Sequence, residues 1–416
     1  MISKQDKLSP WYFIAIFIVA AVIIITRRPD IINHPQLWAE DGKAFLEPVW
    51  NQGFLTSIMT PRDGYFQSLP KITMAIASSF GLSYVALIST SIAISLRCLF
   101  VVFIMTSRFN YIDMRFRLAF CLYFLFQPNI QEAYVNITNA HTYLAIYLLA
   151  VILAKDSKKI AWKTHDILIL ILSGISGPFI ALLAPSLAIK RYYERGSILN
   201  AIKGINTFDV VFACCMLIQA GSVMFGDNTR TPSSLGATIP LFFEIMSYKV
   251  ILGAFFDLNN VQWIIGKPII NAFISLVFII SSFFFLVKMD WRYKAAFCYV
   301  FFTLLVSLYK PVINHSEEQW PLFLIPIVGC RYFILSGMGI FCLSLIIMSR
   351  IKVRPYTIIL LFCITLFSSL TVSYRMPPLD NVGYDKDVAV FNEAKNGEKV
   401  LIHTNPPGWS MELIKK

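Results

Sequence analysis

Two adjacent carboxylates stand in the run Trp38-Ala39-Glu40-Asp41-Gly42, followed at short range by Phe45, Leu46 and Trp50. A carboxylate held in low-dielectric surroundings beside a like charge has its pKa raised, which suits it to act as a general base on a hydroxyl. The same pair would also serve to cap or solvate the start of a helix. Trp38, Phe45, Leu46 and Trp50 are expected to form one apolar face of a short interfacial helix, pressing the acids against a membrane surface.

Cations that could complement such a base are few. Arg331, in Gly329-Cys330-Arg331-Tyr332-Phe333, stands where an apolar run begins. A guanidinium there suits a phosphate delivered from the bilayer, or it snorkels to the interface, or it pairs with Glu317 or Glu318. Arg97 lies within an apolar run and either pairs with a carbonyl or an acid or reaches a lipid phosphate. Trp38, Arg62, Lys71, Asn139, His141, His315, Glu317 and Glu318 complete the candidate substrate-binding set, the first three within the long segment at about 27–81 and the others near the ends of apolar runs. Asn136-Ile137-Thr138 also fits the N-glycosylation pattern, a short motif of low specificity.

These residues must be positioned by elements that lie in lipid. The chain is 57% hydrophobic, 15% aromatic and only 14% charged over 416 residues, which excludes an ordinary soluble fold. Apolar segments run from about 11 to 26, 82 to 106, 117 to 127, 139 to 154, 166 to 174, 178 to 189, 207 to 225, 268 to 288, 295 to 309, 331 to 349 and 356 to 373. They predict an all-α polytopic membrane protein with about 11 transmembrane segments, within a range of about 9 to 13. Several segments are short, so the pair around Ser176-Gly177-Pro178 is two short helices, one broken helix or a re-entrant element.

The connections after every second segment are basic, and the positive-inside rule makes these cytoplasmic. The N-terminus is then cytoplasmic and the C-terminal tail is on the outer side, against the mild vote of Arg27 and Arg28. Most of the formal net charge of +12 falls in those loops, so it marks topology and not a nucleic-acid partner. Eight cysteines lie in or beside apolar runs without metal-ligand spacing and read as small buried apolar residues. The first outer loop, at about 27–81, and the outer tail, at 374–416, hold most of the polar residues outside the basic loops. A transmembrane domain covering 1–373 and a tail of one strand or two helical turns are the expected organisation. Trp409 with its neighbouring prolines either stacks on a sugar or simply packs the tail.

Taken together, Trp38-Ala39-Glu40-Asp41-Gly42, Asn139-Ala140-His141, Ser176-Gly177-Pro178-Phe179 and Arg331-Tyr332-Phe333, in this order, carry a resemblance. The chain resembles the serotype-converting O-antigen glucosyltransferases of Shigella flexneri and its temperate phages, which are similar to the wider GT-C class of membrane glycosyltransferases. The resemblance extends over the chain in organisation, with its specificity carried by the first-loop block.

It implies a GT-C-like helix bundle with outer-face loop helices in the bacterial inner membrane. The implied reaction is inverting transfer of glucose from undecaprenyl-phosphate-glucose to a hydroxyl of the lipopolysaccharide O-antigen repeat on the periplasmic face. Asp41 and Glu40 match the acidic position of the class, with Asp41 favoured as base. Arg331 and Arg97 are the cations for the donor phosphate. A donor synthase and a flippase are the implied functional partners.

No cofactor is required by this reading, and a divalent cation bridging acid and phosphate is compatible with it. Choice of acceptor is expected to rest on residues 226–267 and the tail. The alternative readings are a flippase or transporter of polyprenyl-linked sugars, and another O-antigen assembly protein. The first of these would favour intramembrane charges, inverted repeats and short loops.

Overall fold

The computed structural model describes residues 9–225, 233–314, 316–350 and 373–416, with backbone only for 348–350. The chain is mostly helical, at 69%. Among the described residues, five helices are long and apolar enough to cross a membrane: Pro10–Arg27, Leu82–Ile104, Thr207–Phe225, Pro268–Val287 and the stretch Cys330–Ile347. The outward faces of Pro10–Arg27 and Pro268–Val287 are apolar, with Ile18, Val19, Phe273, Ile280 and Phe283 all exposed. A folded chain that leaves such continuous apolar faces uncovered is matched to hydrocarbon, where burial among neighbours is not required. The protein is thus an all-α membrane protein at the level of its helices.

Local sequence sets where these helices begin. Ser9 accepts a hydrogen bond from Trp11 N at 3.4 Å, and Pro10 occupies the first helical position, where a missing N–H costs nothing. Asp113 caps Met114–Phe126 and Asp290 caps Trp291–Tyr309 in the same way. A helix covers each of the first ten apolar segments. Met114–Phe126, Ala140–Leu153, Ile160–Gly174 and Phe179–Arg195 have 13, 14, 15 and 17 residues and fall short of the length that spans a bilayer unaided. The segment at 356–373 lies outside the described residues, apart from its last position.

At Ser176-Gly177-Pro178 the chain forms two helices, Ile160–Gly174 and Phe179–Arg195, joined by a turn with Gly177 at φ 142°. The turn is tied to the first loop: Ser68 N donates to Ile175 O at 3.1 Å, and Leu69 N donates to Ser176 Oγ at 2.9 Å.

Among the described residues, the basic loops at 107–117, 155–163, 190–203 and 288–294 gather at one end of the bundle, while the basic connection after the tenth segment lies beyond the described residues. Lys155 N donates to Arg108 O at 3.0 Å, Arg108 pairs with Asp166 at 2.6 Å, Lys190 with Asp156 at 2.7 Å, and Arg191 with Asp209 at 2.8 Å. The first loop, the 131–141 segment, the 174–178 turn and the tail gather at the other. Arg27, which sequence analysis treated as a topology violation, is fully buried there. Its guanidinium donates to Leu125 O at 2.6 Å, Gln127 O and Ser373 O at 3.2 Å, and Tyr374 O at 3.1 Å. It fastens the ends of two helices and the start of the tail, and a charge so used says little about sidedness.

The tail departs from the expected single strand or two turns. It forms a helix, Tyr384–Glu393, and an antiparallel hairpin, β1 (Lys399–Thr404) and β2 (Trp409–Ile414), in the register Val400↔Leu413 and Ile402↔Met411. Alternate residues Val400, Ile402, Met411 and Leu413 face inward.

The hairpin packs on the first loop and corrects another expectation. Phe45 and Leu46 are buried within the protein, and Trp50 meets Phe391 edge-on at 5.6 Å while its Nε1 donates to Ile414 O at 3.0 Å. The apolar face expected on a membrane surface is covered by the tail instead. Of residues 226–267, on which the choice of acceptor was expected to rest, 226–232 lie outside the described residues, and 239–264 form a packed run of short helices with Tyr248 fully buried.

Candidate active site

Asp41 opens a single turn of π-helix, Asp41–Leu46, and is only 3% exposed. The chain reaches it through Ala39, whose φ of 41° is uncommon for a residue with a Cβ. Such backbone strain costs on the order of 1–3 kcal/mol and persists where neighbours hold it. Here the tail does so: Ala39 N donates to Asn405 O, and Asn405 N donates to Leu37 O at 2.9 Å. Gly42 is required by the same contact, because a Cβ there would stand 2.9 Å from Thr404 Cγ2 and 3.1 Å from Met411 Sδ.

The Asp41 carboxyl meets the segment leading into the Ala140–Leu153 helix. Its Oδ1 accepts from Thr138 N at 2.8 Å and from Thr138 Oγ1 at 2.5 Å. Among the described residues its Oδ2 accepts only a long bond from Trp38 N at 3.4 Å, which leaves this oxygen with capacity for a proton. Burial pushes the carboxyl up to about 7, the Thr138 hydrogen bonds oppose that rise, and the Glu40 charge adds to it. A carboxyl tuned to neutral pH, with one oxygen fixed and the other lightly held, has the properties of a general acid or base.

The same segment carries the site to its cation. Glu132, the one acid between Asp113 and Asp156, pairs with the Arg331 side chain and also accepts from Arg331 N at 3.2 Å. Arg331 further donates from Nη2 to Val312 O at 2.8 Å, and its side chain is about a third exposed, at 32%. Glu40 lies within electrostatic reach of this guanidinium. The pairing with Glu317 or Glu318 considered from sequence is not formed; Glu132 takes that place. A phosphate arriving at Arg331 would therefore share the guanidinium with Glu132 or displace it.

Buried polar residues fix the segment between Asp41's partner and Arg331's partner. Asn136 and Asn139 both donate to Glu132 O, at 2.9 and 3.4 Å, and Asn139 Nδ2 donates to Asn136 Oδ1 at 2.9 Å. Asn139 thus turns its amide inward, and the buried Asn136 amide is engaged as well, which removes it from an accessible glycosylation position. Val135, at φ 47°, marks strain in this same run. From below, Arg97 donates to Ala133 O at 2.6 Å and stacks on Tyr143 at 3.8 Å. Its Nε and Nη1 make no hydrogen bond among the described residues. His141 stacks on Phe179 with ring centroids 5.5 Å apart, next to Gly177.

Other candidates stand apart. Lys71 is 3% exposed and donates to Ser57 O and Thr60 O at 2.6 and 2.5 Å, so it holds the end of the Phe54–Met59 helix. Burial, and then Arg62, lower its pKa to about 8. Arg62 pairs with the adjacent Asp63 at 3.7 Å. Glu317 and Glu318 are exposed and tie down residues 233–236: Ser233 Oγ donates to Glu317 O at 2.6 Å and Ser234 Oγ to Glu318 Oε1 at 3.1 Å. His315 lies outside the described residues.

Three contributors escaped sequence analysis: Thr138, Glu132 and Lys249. Lys249 is buried and donates to Ile325 O, Pro326 O and Val328 O at 2.7, 2.8 and 3.0 Å, fixing the turn that leads into Arg331. The lone acid at 132 in a long stretch without others was the available signal. Comparison of the chain with protein-family models, curated proteins and solved structures finds no match.

Proposed function

We propose that this protein transfers glucose from undecaprenyl-phosphate-glucose to a hydroxyl of the lipopolysaccharide O-antigen repeat, at the periplasmic face of a bacterial inner membrane. The observation that carries the reading is the Asp41 carboxyl, buried, fixed by Thr138 and pushed up to about 7, in a first loop joined through residues 131–141 to Arg331. The resemblance to serotype-converting glucosyltransferases supplies the substrates, and the membrane-embedded helices suit a donor held in the bilayer. A GT-C-like bundle of about eleven spans, with the basic end cytoplasmic, belongs to the same proposal.

In the proposed step Asp41 Oδ2 takes the proton of the acceptor hydroxyl as that oxygen bonds to the anomeric carbon. The bond from this carbon to the phosphate oxygen breaks, and its electron pair leaves with polyprenyl phosphate. Arg331 meets the charge on that phosphate, and Glu40 and Glu132 set the orientation and charge of the guanidinium. One in-line displacement inverts the anomeric centre, so a β-linked donor gives an α-glucoside. No metal ion is called on in this step.

The test is the glycan itself. O-antigen made with the protein should carry one additional hexose per modified repeat compared with O-antigen made without it, and linkage analysis would name the acceptor. O-antigen of unchanged composition, in cells that make the donor and contain the protein in their membranes, would refute the proposal.

A further inference from the structure

A cavity of about 410 Å³ lies among the Met114–Phe126, Ala140–Leu153, Trp291–Tyr309 and Ile334–Arg350 helices. Its volume falls within the range of roughly 300–1,000 Å³ common for small-ligand sites. The walls are apolar, formed by residues such as Phe100, Phe120, Leu149, Val300 and Leu335. Its polar rim, with Asp113, Arg117 and Arg292, lies at the basic end, and its apolar part runs along the Ile334–Arg350 helix as far as Leu335; Asp41 is not among its lining residues. The Ala140–Leu153 helix starts next to Thr138 at the acidic end, and its later residues Leu149 and Leu153 line the cavity.

Two arginines lie where the cavity meets the basic loops. Arg117 is 3% exposed; its Nη1 donates to Thr106 O at 2.8 Å and Ile104 O at 3.5 Å, which caps the end of Leu82–Ile104. Its Nε is buried and has no partner among the described residues, and the same holds for Arg292 Nε. Arg292 stacks on Tyr111 at 4.4 Å and Trp291 at 4.6 Å, with a long bond of 3.4 Å to Asp290.

The acids nearby already have partners: Asp290 is held by Arg292 itself, and Asp113, which lines the cavity, is held by Arg115. Asp113 accepts from Arg115 N at 2.9 Å and from the Arg115 side chain at 3.0 and 3.2 Å, and Asp290 accepts from Arg292 N at 3.0 Å. Guanidinium N–H groups buried without a partner are costly, and an anion that accepts from them removes the cost. The Met114–Phe126 and Trp291–Tyr309 helices also begin here, so their N-terminal dipoles favour negative charge at the same place.

We infer that this cavity binds a glycerophospholipid with an anionic head group, its phosphate on Arg117 and Arg292 and acyl chain carbons against the aromatic walls. Apolar walls select an amphiphile over a free phosphate, because a soluble anion leaves them uncovered. A bilayer phospholipid is the assigned source, since the polyprenyl phosphate of the proposed reaction would be released at the opposite end. The site is independent of that reaction.

The test uses the full chain purified in detergent and stripped of lipid, titrated with phosphatidylglycerol, phosphatidylcholine or undecaprenyl phosphate. Native mass spectrometry reads occupancy and a thermal shift reads stabilisation. Phosphatidylglycerol should bind at least tenfold more tightly than the other two. Arg292→Gln, which leaves the Arg117 cap intact, should weaken it about tenfold, and Ala296→Phe should abolish it by filling the cavity. Arg115→Gln, an exposed change, should leave it unaltered. Equal binding of phosphatidylcholine, tighter binding of undecaprenyl phosphate, or full binding in both Arg292→Gln and Ala296→Phe would overturn the inference.

Discussion

A carboxyl that titrates near pH 7 is present in comparable acid and base forms at neutral pH, and this fixes how Asp41 should behave. If its ionised form accepts the acceptor's proton, kcat/KM should rise about tenfold per pH unit below 7 and level off above it. Thr138→Val removes a hydrogen bond that favours the ionised form, so the rising limb should move to higher pH, while Thr138→Ser should keep it in place. Stability runs the other way. The folded pKa lies above the ordinary 3.8, so the stability that the protonated carboxyl contributes is full below about pH 4 and lost as pH rises through 7. Asp41→Asn should therefore gain in melting temperature over the unsubstituted chain between pH 4 and pH 8, with an upper bound on the order of 4 kcal/mol. Equal gains at both pH values would place the carboxyl in water. The acids and Arg331 were legible from residue type beside apolar runs. Thr138 and Glu132 were not, because their contacts lie 97 and 199 residues away along the chain and spacing does not encode them.

The tail hairpin and the first loop act as one element. The loop's strained approach at Ala39 is held by backbone bonds to Asn405, and Gly42 leaves the space into which Thr404 and Met411 fit. Gly42→Leu would overpack that contact, at a cost of roughly 1–3 kcal/mol, and would push the hairpin off the loop. The expected result is normal membrane insertion, a tail newly open to protease, and transfer reduced more than tenfold; Gly42→Ala should lie between. A protected tail with unchanged transfer in Gly42→Leu would show that docking is irrelevant to the site. Residue spacing exposed an apolar face at Trp38, Phe45, Leu46 and Trp50, and the tail was expected to hold one strand or two helical turns. What covers such a face is a tertiary fact, and the tail, not lipid, turned out to do so. The ten apolar runs that became helices were readable because lipid demands long apolar stretches with internally bonded backbone.

For the molecule as a whole, charge sorts the two ends. Basic loops meet at one end through Arg108–Asp166, Lys190–Asp156 and Arg191–Asp209, and the first loop and tail meet at the other. Single cysteines replacing exposed Arg115 and Lys386 should react with a membrane-impermeant maleimide from opposite sides of the membrane, Lys386→Cys from the periplasm. Labelling of both from one side would break the proposed topology. The alternation of loop charge carries the proposed sidedness, and Arg27 carries no vote on it because its charge serves buried carbonyls. In the proposed reaction this membrane protein uses Asp41 to move a sugar off a lipid phosphate. The most direct test of that reaction is the purified chain reconstituted with glucose-labelled undecaprenyl-phosphate-glucose and O-antigen acceptor, compared with Asp41→Asn at equal folded amounts. The account predicts label in the glycan for the unsubstituted chain and a loss of at least about a hundredfold for the variant. Undiminished transfer by Asp41→Asn, or none by the unsubstituted chain, would contradict it.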